Sequence, residues 1–286
     1  MKKLLAIILI AVMLSLTFAG CSETADVNAT TESTTAPTTT TTTTTRTTED
    51  VNTTFKEPAT NTVYPALTKD EDGSYPYKLS TYTTYYDSSN STRTVNINNA
   101  VSKLDNLKIP DGATFSFNQT VGKRTVLAGY QEAKVVKGDE FVDGLGGGIC
   151  QVSSTIFQAA LRANMDITVR ACHSLEISYV PLGADATVQW NTQDFQFKNN
   201  SGTDIRLSVS ASKGTLICEV YAADDINVGD VDIQVSKDGS SYILKRSVNG
   251  TVNYTTNSKY NKPKTTAAST TEDESEDDDD NEDNED

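Results

Sequence analysis

The chain has 286 residues, 36% hydrophobic and 22% charged, with a formal net charge of −15. Twelve of its last 15 residues are acidic, so the negative charge is concentrated in one short segment and the remainder is near balance. No basic cluster presents a phosphate-binding face, which excludes nucleic acid as a partner on charge grounds.

Taken from the start, Lys2 and Lys3 precede an apolar run from Leu4 to Phe18 that is short for a membrane span and has the layout of a secretory signal over residues 1–20. "FAGC" is similar to a bacterial lipobox, which implies cleavage before Cys21 and a diacylglycerol on its sulfur. A lipidated Cys21 would hold the mature protein through acyl chains on the outer face of a bacterial membrane, extracytoplasmic and close to the wall. Residues 21–74 are rich in threonine with almost nothing apolar, so burial cannot offset chain entropy and a disordered tether is expected. The folded part is expected from 75 to 223, followed by a small β-hairpin appendage over 224–262 and a solvated acidic tail over 263–286.

Within the folded part, "KLSTYTTYYD" alternates threonine and tyrosine and reads as a strand. "RTVNINNAVSKLDNLKI" places Val95, Ala100, Val101 and Leu104 at helical spacing, ended by Pro110-Asp111-Gly112. "ATFSFNQTV" reads as a short strand, and "EAKVVKGDEFV" as two strands about a Lys137-Gly138-Asp139 turn. A central helix is expected over Ile149–Asn164. Strand character follows in "DITVRACHSLEISYV", "ATVQW", "DFQFKN", "DIRLSVSA" and "TLICEVYA", and a final pair is joined through Asn249-Gly250. The expected class is α+β: a mainly antiparallel sheet packed on two helices, with a C-terminal β hairpin.

The chemistry centres on Cys150 and on His173, the chain's one histidine. At about 100° per residue the central helix puts Gln151, Ser154, Thr155, Gln158 and Arg162 on a polar face and Val152, Ile156, Phe157, Ala160 and Leu161 on the other. Cys150 falls in the first turn, where free N–H groups and the helix dipole favour a thiolate. Gly146-Gly147-Gly148 ahead of it lets backbone approach a ligand, and the Gly147, Gly148 and Gln151 amides are candidate oxyanion donors. If 169–179 is a strand, alternation turns His173 to the apolar side with Ala171 and Leu175, and Arg170, Cys172 and Ser174 to the other. Ser174, next to the histidine, joins the substrate-binding candidates. Asp185 starts the next strand, where it would orient the imidazole. A structural cysteine behind a flexible turn and a satisfied core histidine are the bland alternatives.

"GGGICQVSSTIFQAALRANMDI", "RACHSLEISYVPLGADATV" and "DFQFKNNSGTDIRL" resemble the VanW family, known from vancomycin-resistance gene clusters, with lead-in matches in "NINNAVSKLDNLKIPDGATFSFNQTVG" and "GYQEAKVV". Some VanW domains are L,D-transpeptidases, so the resemblance implies Cys150 as nucleophile, His173 as its base and peptidoglycan stem peptides as substrate. The YkuD type of L,D-transpeptidase has its histidine before the cysteine motif, so its residue roles do not transfer. A non-catalytic wall-binding module is the rival reading. No cofactor and no metal ion is expected: Cys172 and His173, adjacent on a strand, would face opposite ways and could not join Cys150 and Cys218 on one zinc. A Cys172–Cys218 disulfide stays open, and an odd number of cysteines beyond Cys21 leaves one thiol unpaired.

Overall fold

The computed structural model describes residues 67–264 apart from 71 and 72. The signal, Cys21, most of the tether and the acidic tail lie outside the described residues. The order is β1 (Tyr77–Tyr85), α1 (Ser91–Leu104), β2 (Leu107–Ile109), β3 (Thr114–Ser116), α2 (Phe117–Val121), β4 (Glu132–Lys137), β5 (Glu140–Leu145), α3 (Ile149–Arg162), β6 (Asp166–Val169), β7 (Gln196–Lys198), β8 (Ile205–Ser212), β9 (Thr215–Ala222), β10 (Val231–Asp238), β11 (Ser241–Val248) and β12 (Thr251–Lys259). The class is α+β, and every ladder between the named strands is antiparallel.

Four sheets replace the single one expected: β1-β9-β8-β2, β3-β7-β6, β4-β5 and β10-β11-β12. Helix α3 packs against β1 and β9, and α1 against β8. Alternation drives the first sheet, in which Leu216, Cys218, Val220 and Ala222 of β9 are all buried and their neighbours half-exposed. Phe115, Phe157, Phe195 and Phe197 interlock with ring centroids 5.0 to 6.1 Å apart, joining α3 to the second sheet. Asn90 starts α1 by accepting from the Arg93 N–H at 3.0 Å, and Ile97, Ala100 and Leu104 then fall on one buried side.

Several expectations are corrected. The ordered fold begins ahead of Tyr75: Lys69 bridges Leu107, and buried Asp70 lies 3.4 Å from Arg206 and 3.7 Å from Lys108. In "ATFSFNQTV" the strand stops at Ser116, whose hydroxyl accepts from Gln119 N at 3.2 Å and so starts helix α2. The C-terminal element is a three-stranded sheet rather than a hairpin, because Gly239-Ser240 makes a further turn with Gly239 at φ 57°. Most important, the strand expected over 169–179 ends at Val169, and "ATVQW" forms no ladder. The backbone there bonds elsewhere: His173 N–H donates to the Asp185 carboxylate at 2.7 Å, Thr187 N–H to Ala171 O at 2.8 Å, and Asn261 N–H to Ser174 O at 2.7 Å.

Helix α3 is buried on both sides, including the polar face. Its polar side chains hold the irregular chain beside it. Ser154 Oγ accepts from Ala186 N at 2.9 Å, Ser153 Oγ donates to Ala186 O at 2.5 Å, and Gln158 donates to Ala184 O at 2.7 Å. Thr155 meets Thr84 of β1 at 2.9 Å. Residues 184–188 are thereby pinned along the helix, with Asp185 and Thr187 delivered to its N-terminal end.

Candidate active site

Gly148 caps α3 at φ 109°, a left-handed conformation that glycine alone adopts without strain. The glycine turn is tight against its own chain. A Cβ on Gly147 would lie 2.7 Å from Ala133 and the Lys134 carbonyl of β4. The turn thus fixes where Cys150 enters the helix.

The half-buried Cys150 Sγ is 3.4 Å from Thr187 Oγ1 and 3.4 Å from the Val188 carbonyl, and it interacts electrostatically with the His173 ring. His173 Nδ1 meets Asp185 Oδ2 at 2.5 Å, while Nε2 faces the Tyr179 hydroxyl at 3.2 Å. Asp185 is fully buried with both oxygens committed: Oδ2 to the ring and backbone N–H of His173, Oδ1 to Arg170 Nη2 at 3.1 Å and the Tyr260 hydroxyl at 2.6 Å. Arg170, also buried, donates through Nε to Asp185 O at 2.7 Å and reaches Thr256, Asn257 and Ser258 of β12. Tyr260 in turn accepts from Gly183 N–H at 2.7 Å.

These contacts set the charges. Burial alone would push the Cys150 thiol up, but the imidazolium of His173, helped by Thr187, brings it down to about 7. Burial alone would lower His173, but Asp185 and then Cys150 hold its imidazolium to about 9. Burial would raise Asp185 too; His173, Arg170 and Tyr260 outweigh it and keep the carboxylate well below its usual range. Between roughly pH 7 and 9 the site is a thiolate–imidazolium pair over an ionised carboxylate. Such a set can attack a carbonyl and hand a proton to the leaving group.

Of the residues picked from sequence, Cys150, His173 and Asp185 come together. Gln151 N–H, expected to face an oxyanion, turns back on Gly148 O at 3.1 Å, and its side chain is held by Arg93, Thr84 and Tyr85. The Ser174 hydroxyl is committed to Gly138 O in the β4–β5 turn. Cys172 and Cys218 are not joined to each other, so the disulfide left open is not formed. Burial raises both, Cys218 strongly, the opposite of Cys150. Sequence reasoning missed Thr187, Tyr179, Arg170 and Tyr260. Thr187 was readable as the alternate neighbour of Asp185; Arg170 was assigned to the face away from the helix, and Tyr260 lies 75 residues from its carboxylate partner.

A family model described as VanW like protein matches residues 92–221. These residues form a VanW-like domain. It is 43% identical over 150 residues to "Uncharacterized protein YoaR" of Bacillus subtilis (strain 168), covering 52% of this chain and 50% of that protein. It is 26% identical over 132 residues to "Vancomycin B-type resistance protein VanW" of Enterococcus faecalis (strain ATCC 700802 / V583), covering 44% and 48%. The chain thus spans about half the length of these curated relatives. No solved structure matches it. The VanW match contains Cys150, His173, Asp185 and Thr187; Tyr260 and the β12 partners of Arg170 fall beyond its end.

Proposed function

We propose that this chain, with its VanW-like domain, is a cysteine-dependent acyl transferase of the bacterial cell wall, acting as an L,D-transpeptidase on peptidoglycan stem peptides. The set of Cys150, His173 and Asp185, with His173 hydrogen-bonded to Asp185 and coupled electrostatically to Cys150, carries the reading. The Cys150 thiolate attacks the carbonyl carbon of the third stem residue, and the His173 imidazolium protonates the departing amine of the terminal residue. That leaves a thioester and a neutral imidazole. A side-chain amine of a neighbouring stem then attacks the thioester, giving its proton to His173 as the thiolate leaves, and a 3–3 cross-link results. Water in place of that amine makes the same site an L,D-carboxypeptidase. Asp185 fixes the ring so that Nε2 is the nitrogen presented to sulfur. The Gly147 and Gly148 amides remain the oxyanion donors of this scheme.

The enterococcal relative's printed link to vancomycin resistance supports a wall-related role, and a lipid on Cys21 with a threonine-rich spacer would keep the domain near its polymer substrate. No helix of the described residues is long and apolar enough to cross a membrane. Muropeptide analysis of cells expressing the full chain tests the proposal. The expected result is 3–3 cross-links, or shortened stems, that vanish with Cys150→Ala; equal levels in both strains would sink it.

A further inference from the structure

The glycine turn has a cation on it. A Cβ placed on Gly146 would meet Cγ of Arg124 at 3.1 Å, so the arginine stem lies on the turn that leads into Cys150. Its Nη1 donates to Asn118 Oδ1 at 2.8 Å and to Gly122 O at 3.0 Å. A guanidinium has five N–H donors, and those on Nη2 and Nε remain. Among the described residues no carboxylate lies within ion-pair distance of Arg124. Asp194, whose charge it feels, is occupied by Ser116 (2.6 Å), Gln196 (2.9 Å) and the N–H groups of Asn118 (2.9 Å) and Phe195 (2.8 Å).

Two further groups point the same way. The Tyr130 hydroxyl is buried without a hydrogen-bond partner among the described residues, and it interacts electrostatically with Arg124. Lys103 stands 5.2 Å over the Tyr130 ring, repels Arg124, and has only the Val121 carbonyl as a hydrogen-bond partner. Two cations and a phenol donor beside one another, with no carboxylate paired to them among the described residues and the Cys150 thiolate as the anion whose charge Arg124 feels most, are the donor set of a carboxylate site.

We propose that Arg124, with Tyr130 and Lys103, forms a subsite beside Cys150 for the free C-terminal carboxylate of the acyl-donor peptide. Resting on the acyl-transfer reading, it makes the enzyme selective for chain ends: the carboxylate bound here belongs to the residue that departs as an amine. A peptide bond inside a longer strand offers no such charge and is left alone.

Two measurements on the full chain test this. In the first, Cys150 is alkylated with iodoacetate and with iodoacetamide, which differ by one carboxylate. Arg124→Gln is expected to lower the iodoacetate-to-iodoacetamide rate ratio about tenfold, and Arg124→Lys to restore much of it. An unchanged ratio overturns the subsite. In the second, Cys150→Ala chain that keeps Arg124 is titrated calorimetrically with a stem tetrapeptide and with its C-terminal amide. The acid is expected to bind about tenfold tighter or more; equal affinities overturn the proposal, even should the Arg124 variants fail to fold. A preserved acid preference in a chain that makes no cross-links would retire the transferase reading while leaving the subsite standing.

Discussion

The reacting groups and the groups that hold them come from different stretches of the chain. Cys150, His173, Asp185 and Thr187 lie within the VanW match, on the first turn of α3 and the irregular segment beside it. The β12 groups that accept from Arg170, and the Tyr260 hydroxyl that donates to Asp185, lie in what the sequence reads as an appendage. Arg246 of β11 adds a second tie, donating to Met165 O at 2.7 Å beyond the end of α3. Hydrogen bonds from the candidate site therefore cross the boundary that composition suggests near 224. The segment that carries His173 and Asp185 has no ladder of its own to keep it in place, and the β10-β11-β12 sheet supplies what a ladder would have.

The severest way to break this comparison is to end the chain after Ala223. Arg170 would lose its β12 partners, Asp185 the Tyr260 hydroxyl and Met165 O the Arg246 donor, and the expected outcome is loss of cooperative thermal unfolding by circular dichroism. A truncated chain that melts cooperatively and keeps a Cys150 titration near 7 would show the sheet to be dispensable. Next in size is Asp185→Asn. By analogy with the carboxylate of serine-protease triads, kcat/KM should fall about 10⁴-fold. Leaving Arg170 buried without its anion should also cost about 3–5 kcal/mol in denaturant unfolding.

A smaller effect is expected from Tyr260→Phe, which removes one donor from Asp185 and one acceptor from Gly183 N–H. The wild-type kcat/KM should be bell-shaped. Below about 7 the thiolate takes up a proton, and above about 9 the imidazolium loses the one it must give away. With Tyr260→Phe the Asp185 charge is less shared, so the upper limb should move to higher pH and activity should drop about tenfold. An unmoved limb would reduce Tyr260 to packing. The smallest effect concerns the other thiols: at pH 7.5 iodoacetamide should label Cys150 and leave Cys172 and Cys218 unmodified, read by peptide mass mapping.

Where hydrogen bonds are local, sequence was informative. α1, α3, the β4–β5 hairpin and the β8–β9 pair follow from apolar spacing and turn residues, and Cys150 at a helix start beside a glycine run was visible in the same way. His173 was found for a reason that did not survive. Strand alternation aimed it at the helix, yet no strand exists there, and the ring is aimed by Asp185. Arg170 shows why such a segment defeats pattern reading: an arginine with no exposed surface depends on partners 15 and 86–88 residues away, which no local window contains. The buried polar side of α3 misled likewise, since serine, threonine and glutamine look the same whether they face water or hold a neighbouring loop.

The double tie on Asp185 has a kinetic corollary. With one carboxylate oxygen locked by Arg170 and Tyr260 and the other by ring and backbone of the same histidine, the imidazole has a single orientation before any peptide arrives. In the proposed acyl transfer His173 then needs no rearrangement on encounter. Stopped-flow acylation traces should rise as one exponential from the first millisecond, with no lag at any peptide concentration.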